Sequence, residues 1–286
     1  MRTLRTVAEL RKALAPQRRA GRRIGLVPTM GAFHEGHLSL MRRAREECAE
    51  VVVSLFVNPT QFRPGEDLDA YPRDEAADAA QAAALGVDVL FAPPVEEVYP
   101  PGFSTEVRVA GVTEPLEGAS RGPEHFHGVT TVVTKLLNMV GPDVAYFGQK
   151  DAQQAVVIRQ LVRDLDIPVR IEVCPTVREP DGLAMSSRNR YLDRADRARA
   201  AALSRALRAA EDAVRGGERD ARAIVSRARA ALAEHGVEPE YLELVSTDTL
   251  APVDRVGDVD VLVAVAARVG PARLIDNTII HANGRP

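Results

Sequence analysis

Short apolar runs alternate with longer amphipathic stretches through the first two-thirds of the chain. Residues 24–30, Ile-Gly-Leu-Val-Pro-Thr-Met, form an apolar run between turn residues and predict a buried strand. From about His37, Leu38, Met41 and Cys48 recur at helical spacing. Residues 51–57 are a continuous β-branched and aromatic run stopped by Asn58-Pro59. A polar stretch with Asp69, Arg73 and Asp74 leads into an Ala-rich helix near 74–85, and residues 87–91 make another strand ended by Pro93-Pro94. Further on, 129–140 reads as helix, 144–147 as strand, 152–165 as helix and 169–174 as strand. This alternation predicts βαβ units, hence an α/β fold with a parallel sheet covered by helices on both faces.

After Pro175 the pattern changes. Two Arg/Ala-rich helices, about 194–215 and 219–235, are separated by Gly216-Gly217, and strand-like runs follow at 241–245, 261–267 and 273–280. Helices followed by consecutive strands predict a smaller C-terminal α+β domain. The boundary belongs between Pro175 and Pro180, giving domains 1–177 and 178–286. Residues 94–127, irregular and rich in Gly, Pro and His, read as a functional loop region. The Arg-rich N-terminus (Arg2, Arg5, Arg11) is interrupted by Glu9, has no apolar core behind it, and reads as an ordinary first helix.

Composition narrows the function classes. The chain has 286 residues, 45% hydrophobic and 27% charged, as expected of a globular protein. With 37 basic against 40 acidic residues its formal charge is −3, so nucleic acid is a poor partner. Residues 259–267, the longest apolar stretch, contain Asp260 and fall short of the ~20 residues of a membrane helix. Two cysteines, Cys48 and Cys174, frame neither a disulfide scaffold nor a zinc knuckle, and a reducing, cytoplasmic setting is expected. Only Lys12, Lys135 and Lys150 are lysines, so where Lys persists a compact ammonium is a candidate requirement.

Three segments carry candidate chemistry. The first, Thr29-Met30-Gly31-Ala32-Phe33-His34-Glu35-Gly36-His37, joins the first buried strand to a helix. In open α/β sheets ligands bind outside the carboxyl ends of strands. Gly31 and Gly36 would let backbone approach a ligand, the helix N-terminus would offer N–H groups to phosphate, and His34 and His37, three apart, would add donors. A zinc-protease motif needs His-Glu-x-x-His, and the interval here is one residue short. His125-Phe126-His127 offers other metal ligands but no Cys or carboxylate cluster frames it, so no metal centre is assigned.

The second segment is Phe147-Gly148-Gln149-Lys150-Asp151, again at a strand–helix junction. Lys150 would neutralise phosphate charge, and Asp151 would orient that lysine, cap the helix or approach magnesium. The third, residues 182–190 with Met185-Ser186-Ser187-Arg188, suits a mobile loop closing over phosphates. Each alone also has a plain reading, as a turn with incidental histidines, a capped helix with an exposed lysine and a polar loop in turn. Their order makes them converge on one nucleotide.

The set resembles the nucleotidylyl-transferring branch of the Rossmann-like folds, with its HIGH-type motif and Lys-Met-Ser-Lys-Ser-type loop. More specifically, over essentially all 286 residues, the chain is similar to the pantoate–β-alanine ligase (pantothenate synthetase) family. The telling segments are 28–37, Phe56-Val57-Asn58-Pro59-Thr60-Gln61-Phe62, 146–154 and 175–192. The resemblance implies an ATP-dependent ligation of (R)-pantoate to β-alanine through a pantoyl adenylate, with magnesium accompanying the triphosphate, and a homodimer. Carried onto this sequence, Met30, His34, His37, Gly148, Lys150, Asp151, Val177, Met185, Ser186, Ser187 and Arg188 would contact ATP. His37, His34, Lys150, Ser186, Ser187 and Arg188 would be catalytic, with His37 the family's proton donor, and Gln61 and Gln154 would hold pantoate. Gln149 replaces a Glu of many members and is expected not to matter, while Asp88 and Arg121 receive no role. Two other classes stay open: a nucleotidylyltransferase with a stable dinucleotide product, and a nucleotide-binding module without turnover.

Overall fold

The computed structural model describes residues 1–62, 68–257 and 259–282. In chain order the elements are β1 (Arg2–Leu4), α1 (Val7–Arg19), β2 (Ile24–Thr29), α2 (Glu35–Glu47), β3 (Glu50–Leu55), α3 (Glu75–Ala84), β4 (Val89–Phe91), α4 (Val95–Val98), α5 (Glu117–Arg121), α6 (Pro123–Val140), β5 (Val144–Gly148), α7 (Ala152–Asp164) and β6 (Arg170–Cys174). Next come α8 (Arg194–Ala200), α9 (Ala202–Arg215), α10 (Ala221–Ala233), β7 (Pro239–Ser246), β8 (Val261–Val269) and β9 (Ala272–Ile280). The first six strands form a parallel sheet in the order β1-β4-β3-β2-β5-β6. From β2 the chain lays β3 and β4 on one side and later places β5 and β6 on the other. The order therefore reverses between β2 and β5, where ligands of such sheets bind.

The strand pleat explains why these runs read as continuously apolar. Ile24, Leu26 and Val52 point into one core with Leu10, Leu14, Leu137 and Ile158, whereas Val27, Val51 and Val53 point into another with Met41, Ala44 and Ala82. Both faces are covered, so neither residue parity can be polar. The C-terminal strands form an antiparallel sheet, β7-β8-β9. Val261, Val263 and Val265 of β8 face a third core under α9 and α10, while Leu262 and Ala264 join the first core. A buried ion pair also ties the two parts together: Arg273 on β9 donates to both oxygens of Glu117 on α5, at 2.7 and 2.8 Å, and Tyr241 donates to the same carboxylate at 2.8 Å. Burial alone would raise the Glu117 carboxyl, but Arg273 and Tyr241 hold it below its ordinary value.

Several boundaries differ from the sequence pattern. A strand precedes the first helix, because Arg2–Leu4 pairs with β4 at the sheet edge before Thr6 and Glu9 close a capping box. Helix α6 begins at Pro123, not near 129, so His125 and His127 stand on a helix; Pro at its first turn and Gly122 at φ +81° mark the start. The irregular region contains the short helices α4 and α5, and the expected single helix over 194–215 is broken at Ala201. Among the described residues, no helix is long and apolar enough to cross a membrane.

Candidate active site

Four neighbouring strand ends open on one cleft of about 560 Å³ between the parallel sheet and the C-terminal part. It is lined by all thirteen residues singled out from the sequence: Met30, His34 and His37 after β2, Gln61 after β3, Gly148, Lys150, Asp151 and Gln154 after β5, Val177 after β6, and Met185, Ser186, Ser187 and Arg188 beyond.

The turn after β2 is unusual in its backbone. Gly31 (φ +88°) and Ala32 (φ +54°) both occupy the left-handed region. A buried carboxylate holds them there: Asp78 of α3 accepts from the N–H of Ala32 at 2.9 Å and of Phe33 at 2.8 Å. A Cβ on Gly31 would meet Leu55 at 2.7 Å and Asp78 at 2.9 Å, so its bareness serves the turn and not a ligand. Gly36 departs from expectation in the same way. His34 caps α2, its Nδ1 accepting from Gly36 N–H at 3.2 Å, and a Cβ on Gly36 would lie 2.9 Å from that ring. One N–H expected to await phosphate is thus already taken.

The histidines supply donors instead. The two rings lie 4.2 Å apart, and His37 Nδ1 accepts from the backbone N–H of His34 at 3.4 Å. With both Nδ1 atoms accepting, the neutral rings carry their protons on Nε2. Burial, helped by the Lys150 charge, pulls His34 down to about 4; burial and the neighbouring His34 take His37 to about 3. Both are neutral hydrogen-bond donors at neutral pH.

After β5, a 3-10 turn over Gln149–Asp151 carries Lys150, whose side chain is 23% exposed and whose ammonium lies 3.4 Å from Asp151. Asp151 stands within ion-pairing distance of the lysine, and its side chain makes no capping bond to α7. Gly148 needs no glycine for its φ of −88°, yet a Cβ there would meet nothing within 4 Å, leaving the backbone open to a close neighbour. On the adjacent wall the hydroxyl of Thr176, beside Val177, is buried and has no partner among the described residues.

Gln61 is prepared by residues to which the sequence reading gave no such task. Asn58, almost wholly buried, donates to Gln61 Oε1 at 3.2 Å and to the Gly128 carbonyl at 3.1 Å, while Tyr99 donates to its own oxygen at 2.9 Å. Gly128 lets the turn approach α6, since a Cβ would come within 2.7 Å of Gln61 N and Cα. His125 Nδ1 bonds the Gln61 carbonyl at 3.1 Å and its Nε2 faces Arg121 at 3.1 Å, which fixes the proton on Nδ1. Gln154 faces the cleft half-buried, while its neighbour Gln153 is buried and holds the 112–117 loop through Val112 O, Pro115 O and Glu117 N.

The third segment lines the same cleft. Ser186 caps a 3-10 turn over Ser187–Tyr191, the Arg188 guanidinium sits 6.0 Å from the Tyr71 ring, and Tyr191 donates to Ala70 O at 3.4 Å. Among the described residues no group of three or more His, Cys, Asp or Glu side chains is placed to hold a metal ion.

This fold, with its cleft at the sheet's switch point and paired histidine and lysine motifs at adjoining strand ends, defines a Rossmann-like α/β protein of the ligand-binding kind. A family model described as pantoate-beta-alanine ligase matches residues 2–279, and the chain belongs to that family. It is 57% identical to a pantothenate synthetase of Cereibacter sphaeroides over 275 residues, 96% of this chain and 98% of the relative. Among solved structures, the pantothenate synthetase of Thermus thermophilus superposes with a TM-score of 0.91 at 49% identity, covering 97% of this chain and 99% of that one. The Francisella tularensis pantoate-beta-alanine ligase, complexed with beta-gamma ATP and beta-alanine, gives 0.80 at 35% identity, covering 98% and 97%.

Proposed function

We propose that this chain ligates (R)-pantoate and β-alanine to pantothenate at the expense of ATP. Family membership over nearly the whole chain supports the reaction, and the cleft into which all thirteen residues open carries the assignment of roles. A pantoate carboxylate oxygen attacks the α-phosphorus of ATP, forming pantoyl adenylate as the bond to pyrophosphate breaks. The amine of β-alanine then attacks the acyl carbon and AMP leaves. Adenylation is needed because a carboxylate oxygen is a poor leaving group and AMP a good one.

The residues divide along those steps. Gln61 and Gln154 orient pantoate through neutral amides; an arginine would bind the carboxylate more tightly but withdraw charge from the attacking oxygen. The Nε2–H groups of His34 and His37 and the Lys150 ammonium stabilise charge building on the phosphate oxygens. A pKa of about 3 makes His37 a hydrogen-bond donor to the phosphates and not a reservoir of a transferable proton in the free enzyme. Met30, Gly148, Asp151, Val177 and Met185 complete the nucleotide site, with Ser186, Ser187 and Arg188 closing on the phosphates from the 178–286 domain. Magnesium fits as an ion brought in on the triphosphate: Asp151 is a single half-exposed carboxylate beside Lys150, suited to an ion that keeps most of its shell from phosphate and water. There the ion would lower the charge of the leaving pyrophosphate. A homodimer and a cytoplasmic setting complete the reading.

Pyrophosphate and AMP, followed separately from ATP and pantoate, test it. A single-turnover burst of pyrophosphate without β-alanine, then sustained AMP once it is added, is the expected result. Sustained pyrophosphate without β-alanine and no AMP on its addition would point to a nucleotidylyltransferase; ATP binding without pyrophosphate would leave only a binding module.

A further inference from the structure

Asn277 lies on β9 of the C-terminal sheet, 4% exposed, yet both protons of its amide are spent on the loop that carries Lys150. Its Nδ2 donates to the carbonyls of Gln149 and Lys150, each at 2.9 Å, and its Oδ1 accepts from the Gln149 side chain at 3.4 Å. Two successive peptide planes are therefore pinned by one side chain, which fixes the direction in which the Lys150 side chain leaves the backbone. Gln149, expected to be indifferent, is part of the contact.

The next residue extends the linkage. Asp276, almost fully buried, takes both Nη atoms of Arg178 at 2.6 and 3.0 Å and accepts from the Asn277 N–H at 2.8 Å. Arg178 also donates to Gly182 O at 3.1 Å, and its backbone bridges Ala184 at the base of the turn leading into Met185 and the serines. Adjacent β9 residues thus grip the lysine loop on one side and the root of the serine loop on the other. Nothing local in the sequence Ile-Asp-Asn-Thr announces this, because its partners lie 98 to 128 positions away.

We infer that Asn277 is a positioning residue for adenylation: it sets the Lys150 ammonium against the phosphates and keeps it in register with the Ser186–Arg188 loop. The inference rests on the ligase reading above. Without Asn277 the two carbonyls can turn to water and the lysine gains freedom, while Gln61, in the turn after β3, and Gln154, on α7, make no bond to Asn277.

The test is the single-turnover pyrophosphate burst in Asn277→Ala and Asn277→Ser, with thermal midpoints measured alongside. A misplacement near 1 Å costs on the order of 100-fold, so Asn277→Ala is expected to slow the burst about 10- to 100-fold. The KM for pantoate should stay within about twofold, and Asn277→Ser, which keeps one donor, should recover part of the rate. An unfolded Asn277→Ala shifts the same comparison to Asn277→Ser. A burst within twofold of the parent overturns the inference; so does a rise in pantoate KM matching the loss of rate, which marks general damage to the cleft. A parent enzyme without any burst would instead overturn the ligase reading, so the two failures are distinguishable.

Discussion

Replacing Asp78 by Asn changes one atom of a buried side chain and tests what shapes the histidine turn. The carboxylate accepts from Ala32 N–H at 2.9 Å and Phe33 N–H at 2.8 Å, and both residues are buried. A hydrogen bond to a charged group contributes about 1.5–3 kcal/mol, and an unpaired buried donor costs about 1–3 kcal/mol. Asparagine keeps one acceptor but turns an NH2 toward the other backbone donor, so the variant loses one bond and strands one N–H. A destabilisation of about 2–3 kcal/mol is expected, a large share of the 5–15 kcal/mol typical of a folded protein. The turn also loses what holds Ala32 in the left-handed region, a conformation costing roughly 1–2 kcal/mol outside glycine. It should relax and carry His34 with it. Urea unfolding measures the first effect; the KM for ATP and the pyrophosphate burst measure the second, with KM rising and the burst slowing. An Asn variant within about 0.5 kcal/mol of the parent, the range of an inert surface change, and with normal ATP kinetics would refute the reasoning.

Gly36→Ala separates stability from activity: alanine is the better helix former by about 1 kcal/mol, but its Cβ would push the His34 ring from its cap at a similar cost, so the thermal midpoint should hold while the burst slows at least tenfold. The buried histidines predict a pH effect with a definite sign. Their values of about 4 and about 3 lie below the ordinary 6.5, so the unfolded chain binds protons that the folded one refuses, and stability falls as pH drops from 6.5 toward 4. His34→Gln and His37→Gln should flatten that fall, and in the free protein neither ring should titrate above about pH 5 by NMR. Lys150→Ala should nearly abolish pyrophosphate release without altering the unfolding transition, near-normal release being the contrary result. Gln154→Ala should raise the KM for pantoate and leave that for ATP unchanged; pantoate kinetics equal to the parent's would remove Gln154 from the site.

What the sequence made legible were residues that work where they stand in the chain. A parallel strand ends, the backbone turns, and the next few side chains face the ligand crevice, so His34, His37 and Lys150 sit in short motifs directly after β2 and β5. The same locality made the elements readable, because a doubly covered strand needs an unbroken apolar run and a helix needs its own period. Boundaries failed where partners overrode local pattern. Arg2–Leu4 is a strand only because β4 offers it an edge, and α6 starts early because Pro123 follows a left-handed Gly122.

The supporting residues were illegible for the opposite reason. Asp78 acts on a turn 46 positions earlier, Asn58 on a helix 70 positions later, and Asn277 on a loop 127 positions before it. Each satisfies or aims backbone groups that lie far off in the chain, so the chemistry leaves no spacing to read. Glycine misled for a related reason. Gly31 and Gly36 looked like room for a ligand, yet a Cβ on the one meets the protein's own Leu55 and Asp78 and on the other His34; of the three glycines in these motifs, Gly148 alone opens on unfilled space. A bare Cα reports close approach without saying by what. It is the buried partner, one strand or one helix away, that decides whether the approach belongs to the fold or to the substrate.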